Sequence, residues 1–333
     1  MVDMIATLIG RDAAYVTDDG VYLSIAAVPD YGLLAHQSVD DMLSGGGDRE
    51  VFGAENKRHP ADFALWKFTK PGEPSWPSPW GEGRPGWHSE CVVMSLELLG
   101  EGFDLHCGGA DLRFPHHENE RAQSVALGKT FANHWMHNGF VVDLEGEKMS
   151  KSLGNVLNLL DLLDKYDPRA YRMLLLQTHY RSPVRVGQDN IDASVSALAG
   201  LDSFAARTST LAQSSADVDV LRQFAEAMDN DLDTPAAMAL VFDTVRRANT
   251  AFDNGDEATA SSLRASVVEV LAALGLELSA GSDVDDDIVA KAAALDAARA
   301  AKDFATADAI RNELQDLGYV VETSKEGTRV RRG

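Results

Sequence analysis

Three side chains with different ligand chemistry stand out in the first half of the sequence. Cys91 offers a thiolate, His116 an imidazole and Glu120 a carboxylate. His116 and Glu120 are four residues apart, so a helix starting after Pro115 would place both on one face. A sulfur, a nitrogen and an oxygen ligand together suit Zn²⁺, and three protein ligands leave one coordination position open. The pattern therefore predicts a working zinc site and not a closed structural one.

Each of these residues also has a simpler interpretation. An isolated cysteine is most often a small buried apolar residue, and adjacent histidines are most often a surface or helix-start feature. The metal interpretation is favoured because the residues lie among Trp87, several glycines and the basic, hydroxyl-bearing run 148–152.

The glycines after the first of these motifs suggest a second kind of site. Gly108 and Gly109 would let the backbone approach a ligand closely, and Asp111 could accept hydrogen bonds from a ribose. A simple tight turn remains the alternative explanation for the glycine pair.

The elements that must position these residues can be predicted from local patterns. Apolar spacing and turn residues predict a helix over 87–99, a short buried strand over 103–107 and a helix over 115–127. Asn158 is placed to cap a short helix at 159–166, and Pro168 fits the first turn of the next helix. Further predictions are a helix end and turn over 4–20, a strand over 21–26, a helix over 39–47 and a strand at 141–142.

The second half of the chain is predicted to be mainly helical. Ala, Leu and Val recur at helical spacing, and Gly318 would end the last helix. The predicted helices are 191–211, 217–230, 234–254, 257–274, 288–301 and 304–317. Residues 319–322 and 328–331 are predicted to form a terminal hairpin.

Composition places the chain among water-soluble globular proteins of two or three domains. It has 333 residues, of which 45% are hydrophobic and 25% charged, and it contains neither a bilayer-spanning apolar run nor a secretory signal. Two cysteines in a metal-like context favour a reducing cytoplasm over a disulfide framework. The net charge of −22 argues by itself against nucleic-acid binding, unless a basic face is hidden in the average or the acidic surface is an adaptation to salt.

Three long motifs, GRPGWHSEC, FDLHCGGADLRFPHHENERAQS and KMSKSLGN, together resemble the cysteine–tRNA ligase family of class I aminoacyl-tRNA synthetases. The resemblance extends over essentially the whole chain. It implies an α/β fold: a partial Rossmann-like nucleotide-binding domain, an α-helical bundle and a small C-terminal mixed α+β domain. It also implies ATP-dependent activation of cysteine and its transfer to cysteine tRNA.

The resemblance also implies roles for individual residues. Cys91, His116 and Glu120 match the family's zinc ligands, whereas Trp87 and His106 match residues that line its amino-acid pocket. The remaining matches concern ATP and its Mg²⁺: Gly108, Gly109 and Asp111 fall where adenosine is held, and Lys148 and Lys151 match signature lysines, with Lys151 at the phosphates.

The family pattern is incomplete in this sequence. No HIGH-type histidine motif and no early zinc-ligating cysteine precede residue 84, Ser89 replaces an aliphatic residue, and Cys107 replaces a glycine beside the pocket. The sequence is therefore expected to represent a truncated or split ligase that requires an N-terminal half. Two alternatives remain open: a ligase joining cysteine to an amino sugar, and a non-catalytic protein that binds zinc and tRNA.

The expected domains follow the family. Residues 1–84 would be the remainder of an insertion, 85–187 the second half of the catalytic domain, 188–281 the helical bundle and 282–333 the anticodon-side domain. A cytoplasmic monomer without membrane contact is expected.

Overall fold

The computed structural model describes residues 1–39, 54–147, 149, 158–279, 286–324 and 327–332. The chain divides into two compact units, Met1–Phe140 and Val141–Gly333. No helix among the described residues is long and apolar enough to cross a bilayer.

The first unit begins with helix α1 (Val2–Gly10) and a four-stranded antiparallel sheet. Its strands lie in the order β1-β2-β3-β4 and are β1 (Ala14–Val16), β2 (Gly20–Leu23), β3 (Phe63–Phe68) and β4 (Gly83–Pro85). Apolar residues of β1, β2 and β3 form one core with Ile5 and Leu8 of α1. The prediction of only a helix end and a turn over 4–20 was thus incomplete, because it missed β1.

The buried carboxylate of Asp62 fixes the end of β2. It accepts hydrogen bonds from the Tyr15 hydroxyl at 2.6 Å and from the Ile25 amide at 2.9 Å. Because the Ile25 amide donates to Asp62, Ile25 does not continue β2. Ile25–Ala27 instead forms a short 3-10 helix. Strand β2 therefore ends at Leu23, three residues before the end of the predicted strand over 21–26. The predicted helix over 39–47 lies, beyond Val39, outside the described residues.

The rest of the first unit carries the residues singled out by the sequence. Helix α2 (Trp87–Leu98) and strand β5 (Phe103–Gly109) agree with the predicted helix and strand. A π-type turn (Arg113–His117) leads into helix α3 (Glu118–Ala126). Helix α3 lies within the predicted helix over 115–127, whose first three residues belong to the turn. Strand β6 (Ala132–Asn138), which the sequence analysis missed, pairs in parallel with β5. The prediction that 103–107 is buried was wrong, because no residue of β5 is fully buried.

The second unit opens with a small parallel pair, β7 (Val141–Val142) and β8 (Val184–Arg185). Between these strands lie α4 (Leu159–Leu163) and α5 (Pro168–Leu176), and the predicted cap is confirmed because the Asn158 side chain accepts from the Leu160 amide. Pro168 occupies the first turn of α5, as predicted.

Long helices then build an extensive apolar core. They are α6 (Gln188–Arg207), α7 (Val218–Asp229), α8 (Thr234–Asp253) and α9 (Glu257–Ala273). Aspartates cap three of them: Asp217, Asp233 and Asp256 each accept from backbone amides of the first turn. Some of the acidic residues thus stabilise helix N-termini, where a carboxylate accepts hydrogen bonds and interacts favourably with the helix dipole.

The chain closes with helices α10 (Asp286–Ala300) and α11 (Phe304–Asp316) and an antiparallel hairpin. Its strands are β9 (Tyr319–Ser324) and β10 (Gly327–Arg332), which confirms the predicted hairpin. Gly318 ends α11 with a φ of +82° that other residues rarely adopt.

Candidate active site

Two helices and one strand of the first unit carry the candidate ligands. Gly86 anchors the start of α2 against β3: its amide donates to the Leu65 carbonyl at 2.7 Å. A Cβ at this glycine would lie 2.1 Å from the Ala64 carbonyl oxygen, so the close approach requires glycine. One turn on, buried Ser89 donates to Gln123 Oε1 at 2.9 Å and ties α2 to α3. The helix that carries Cys91 is thereby fixed to the helix that carries Glu120.

The three residues predicted as metal ligands converge. One ligand atom from each of Cys91, His116 and Glu120 lies within 4.8 Å of the other two. Glu120 is fully buried, and His116 is 5% exposed. His116 Nε2 lies 2.8 Å from Glu120 Oε1, yet this oxygen accepts no aligned hydrogen bond from any described residue. A cation bound between the three groups would give this buried oxygen a directed partner.

The charge state of these groups fits a cation as well. Burial alone would raise the pKa of Glu120, but the imidazoles of His106 and His116 beside it lower that pKa to about 2. Burial, with the nearby Glu120 charge, raises the pKa of Cys91 to about 12. The metal-free site therefore holds a carboxylate and a neutral thiol, and a metal ion must displace the thiol proton in order to bind sulfur.

Further histidines surround this ligand set. His88 Nδ1 lies 2.7 Å from His116 Nδ1, which leaves Nε2 of His116 directed at Glu120. Burial lowers the pKa of both His88 and His117 to about 4, so both imidazoles are neutral at physiological pH. Such outer contacts orient a metal-ligating imidazole. No sequence signal predicted a role for His88, although it stands beside Trp87 and three residues before Cys91.

His117 and His137 form another pair that the sequence did not reveal. The parallel register sets Gly108 of β5 opposite His137 of β6. His117 packs against Gly108, and its Nδ1 lies 2.9 Å from His137 Nε2. Only the pairing of two strands separated in sequence brings these rings together.

The two residues predicted to line an amino-acid pocket both contact the ligand set. The Trp87 ring is 58% exposed, and its centroid lies 4.0 Å from that of His116, with a tilt of 30°. His106 Nε2 lies 2.8 Å from Glu120 Oε2. His116 thus has the exposed Trp87 ring as a neighbour, and Glu120 has the His106 imidazole. These two neighbouring side chains could enclose a small substrate.

The predicted nucleotide-binding residues lie just beyond, where β5 ends. A Cβ at Gly109 would lie 2.6 Å from Asp111 Oδ1, and Asp111 itself is exposed on the following turn. Gly108, Gly109 and Asp111 are therefore adjacent to the ligand set along the chain. Lys148 and Lys151 lie outside the described residues, and Cys107 is exposed.

Comparison with known proteins assigns the chain to a family. Residues 1–196 match the model of the class I (C) tRNA synthetase catalytic domain, residues 223–279 the DALR domain and residues 293–331 the cysteinyl-tRNA ligase anticodon-binding domain. The cysteine–tRNA ligase of Halorhodospira halophila is 45% identical, over 100% of this chain and 73% of the relative. That of Streptomyces avermitilis is 42% identical, over 99% of this chain and 73% of the relative.

Solved structures support the same fold. The methionyl-tRNA synthetase of Mycobacterium tuberculosis, bound by methionyl-adenylate, aligns with a TM-score of 0.55 at 14% identity and covers 81% of this chain and 69% of that one. The predicted α/β class with helical domains is thereby confirmed. The chain belongs to the cysteine–tRNA ligase family of class I aminoacyl-tRNA synthetases.

Proposed function

We propose that this chain works as a cysteine–tRNA ligase that activates cysteine with ATP and transfers it to cysteine tRNA. The observation that carries the proposal is the buried Oε1 of Glu120, which meets Cys91 and His116 without a hydrogen bond from the described residues. When bound to these three ligands, Zn²⁺ would supply a Lewis acid with an open position that prefers a thiolate to a hydroxyl.

The residues around the ligands have separate tasks in this proposal. Glu120 supplies a carboxylate that is ionised at any physiological pH because its pKa is about 2. His88 holds Nδ1 of His116, so that Nε2 faces the ligand set. Trp87 and His106 line the amino-acid pocket, since each contacts one of the ligands.

Activation of cysteine requires the neutralisation of phosphate charge. A carboxylate oxygen of cysteine attacks the α-phosphorus of ATP, the bond to the bridging oxygen breaks, and pyrophosphate leaves. We assign the adenosine to Gly108, Gly109 and Asp111, and catalytic charge to Lys148 and Lys151, of which Lys151 would contact the phosphates. Lys151 and the Mg²⁺ bound to ATP would stabilise the transition state. A ribose hydroxyl of the tRNA then attacks the carbonyl carbon of the adenylate, and AMP leaves.

The proposal includes a further part of the ligase that completes the sheet. Parallel sheets are normally covered on both faces, whereas β5 has no fully buried residue and Leu105 is 50% exposed. The curated relatives named above are matched over 73% of their length. We propose that an N-terminal part, on a separate chain or a preceding segment, adds to the β5–β6 pair. The domains in this proposal are 1–84, 85–187, 188–281 and 282–333, and the chain does not associate with a second copy of itself.

ATP–pyrophosphate exchange with cysteine tests this function. The chain is assayed alone and together with the segment that precedes the matched region in the Halorhodospira halophila relative. We expect weak exchange alone, strong exchange with the added segment, and a preference for cysteine over serine of at least about 100-fold. Equal rates with serine would contradict metal-based recognition. Zinc binding without exchange in either arrangement would indicate the non-catalytic alternative.

The acceptor is tested separately. The match of residues 293–331 to an anticodon-binding domain supports tRNA over an amino sugar, and Arg329, Arg331 and Arg332 form the densest basic cluster of this tail. Deletion of residues 326–333 should weaken binding to cysteine tRNA, while zinc content stays unchanged. The slope of log affinity against log salt concentration should fall by the amount expected for about three phosphate contacts. Identical binding across a salt series would exclude the tail as a contact.

Transfer of activated cysteine to glucosamine and not to tRNA would support the amino-sugar ligase.

A further inference from the structure

Glu120 belongs to two sets of possible metal ligands. One is the set with Cys91 and His116, and the other consists of His106, His117 and Glu120, whose ligand atoms also lie within 4.8 Å of one another. We propose that His106, His117 and Glu120 form a second site for a divalent transition-metal ion, with Glu120 shared between the two sites.

The carboxylate of Glu120 is oriented as a bridge. Its Oε1 lies 2.8 Å from His116 Nε2, and its Oε2 lies 2.8 Å from His106 Nε2. Each oxygen thus serves one ligand set. In dinuclear protein sites, metals linked in this way stand about 3.5–4 Å apart. In the metal-free protein His106 Nε2 and Glu120 Oε2 contact each other directly, and an ion in the second site would stand between them.

His117 is prepared for coordination by its surroundings. It is 2% exposed, and its Nδ1 is engaged by His137 Nε2 at 2.9 Å, so Nε2 is the nitrogen available to a metal. Gly108 makes room for this ring, because a Cβ there would lie 2.7 Å from His117 Cε1. An imidazole fixed through its outer nitrogen is the usual arrangement of a metal ligand.

The donor atoms define the kind of ion. Two imidazoles and one carboxylate suit Zn²⁺, Co²⁺ or Ni²⁺, whereas Mg²⁺ and Ca²⁺ require oxygen ligands. The second set contains no thiolate, which makes the two sites spectroscopically distinct. If the proposed function holds, a second ion would engage His106 in the amino-acid pocket, and excess zinc would inhibit cysteine activation.

Metal stoichiometry tests the second site without any assay of activity. The purified full chain is dialysed against increasing Zn²⁺ or Co²⁺, its metal content is measured, and the Co²⁺ spectra are recorded. We expect a first ion with a thiolate-to-cobalt charge-transfer band and a second ion that adds d–d absorption without that band. Cys91→Ser should lose the first ion and keep the second.

Three histidine variants complete the experiment. His106→Gln and His117→Asn should each lose the second ion and keep the first. His134→Gln is the matched control, because His134 is exposed on β6 and its Nδ1 contacts the Asp104 carbonyl oxygen, outside both sets. Circular dichroism checks the fold of each variant. Saturation of the parent at a single ion, or a second ion that persists in well-folded His106→Gln, would overturn the proposal. Either result leaves the test of cysteine activation unaffected.

Discussion

The two sheets of the first unit differ in how far the chain covers them. Every residue of β2 in the antiparallel sheet is buried, whereas no residue of β5 in the parallel pair is. Strands β3 and β5 make the contrast sharpest, because both begin with phenylalanine and carry leucine at the third position. Leu65 of β3 is 0% exposed, and Leu105 of β5 is 50% exposed.

The difference separates the parts of the unit that stabilise it from those that carry its chemistry. The antiparallel sheet shares one buried apolar core with α1 and with Ala122 of α3. The parallel pair carries His106 and His137, and among the described residues it has less cover than parallel sheets usually have. Its site geometry therefore depends on α2 and α3, which pack on the antiparallel sheet and on each other.

The largest expected effect compares the two leucines directly. Leu65→Ala leaves a cavity in a closed core and should lower the free energy of unfolding by about 2–5 kcal/mol. Leu105→Ala removes a half-exposed side chain and should cost less than about 1 kcal/mol. Urea unfolding of both variants measures this. Equal losses would show that the parallel pair is as well packed as the antiparallel sheet. Addition of the N-terminal segment should increase the cost at Leu105 alone.

The second prediction separates metal binding from stability. Cys91→Ala removes a first-shell ligand and should weaken zinc binding by more than about 100-fold, since loss of an outer partner alone costs 10–100-fold. Cys107→Ala is the matched control, because Cys107 is the other cysteine and is exposed. Metal analysis after dialysis distinguishes the two variants. The ligand assignment is wrong if Cys91→Ala retains as much zinc as Cys107→Ala.

The third prediction concerns acid stability of the metal-free protein. Burial lowers the pKa of His88 and His117 from 6.5 to about 4, so the unfolded chain binds more protons than the folded chain in this range. Stability should be fully present above pH 6.5 and fall as the pH drops towards 4, by on the order of 2 kcal/mol for each histidine at about pH 5.

Chelator-treated protein, unfolded in urea at several pH values, provides the measurement. His88→Gln and His117→Gln should each flatten the dependence on pH, whereas His134→Gln should leave it unchanged. A pH profile that stays the same in both buried-histidine variants would mean that other groups control acid stability.

Local sequence signals predicted some parts of this structure well. The helices after residue 188 end within four residues of the predicted positions, because apolar spacing is a local feature. Within the predicted ligand set, the approach of His116 to Glu120 follows from their four-residue spacing, which is a local feature. Cys91 lies about 25 residues earlier in the chain, and its place in the set was predicted from its motif and from the family resemblance.

Non-local pairing accounts for what the sequence did not show. Strand β6 (Ala132–Asn138) has only weak alternation, and its partner β5 lies some 30 residues earlier in the parallel register. The contact between His117 and His137 follows from that register and so was missed with it. The exposure of β5 was mispredicted because its apolar residues indicate a buried strand, while its cover does not come from the described residues of the unit.

The smallest expected effect tests how the site is fixed to the closed sheet. Ser89 is fully buried, donates to Gln123 Oε1 at 2.9 Å and contacts the Leu65 carbonyl of β3 at 3.4 Å. Ser89→Ala would leave the amide oxygen of buried Gln123 without this donor, at a cost of about 1 kcal/mol or somewhat more. Ser95→Ala on the same helix, where the side chain is only partly buried, is the control and should be within about 0.5 kcal/mol of the parent.

Zinc affinity decides what the Ser89 contact does. If this hydrogen bond holds α2 in register with α3, Ser89→Ala should weaken zinc binding as well as stability, because Cys91 and Glu120 lie on the two helices that it joins. A stability loss with unchanged zinc affinity would show that the backbone anchor at Gly86 is enough to position Cys91. In that case the closed antiparallel sheet, and not the contact between the helices, determines the geometry of the ligand set.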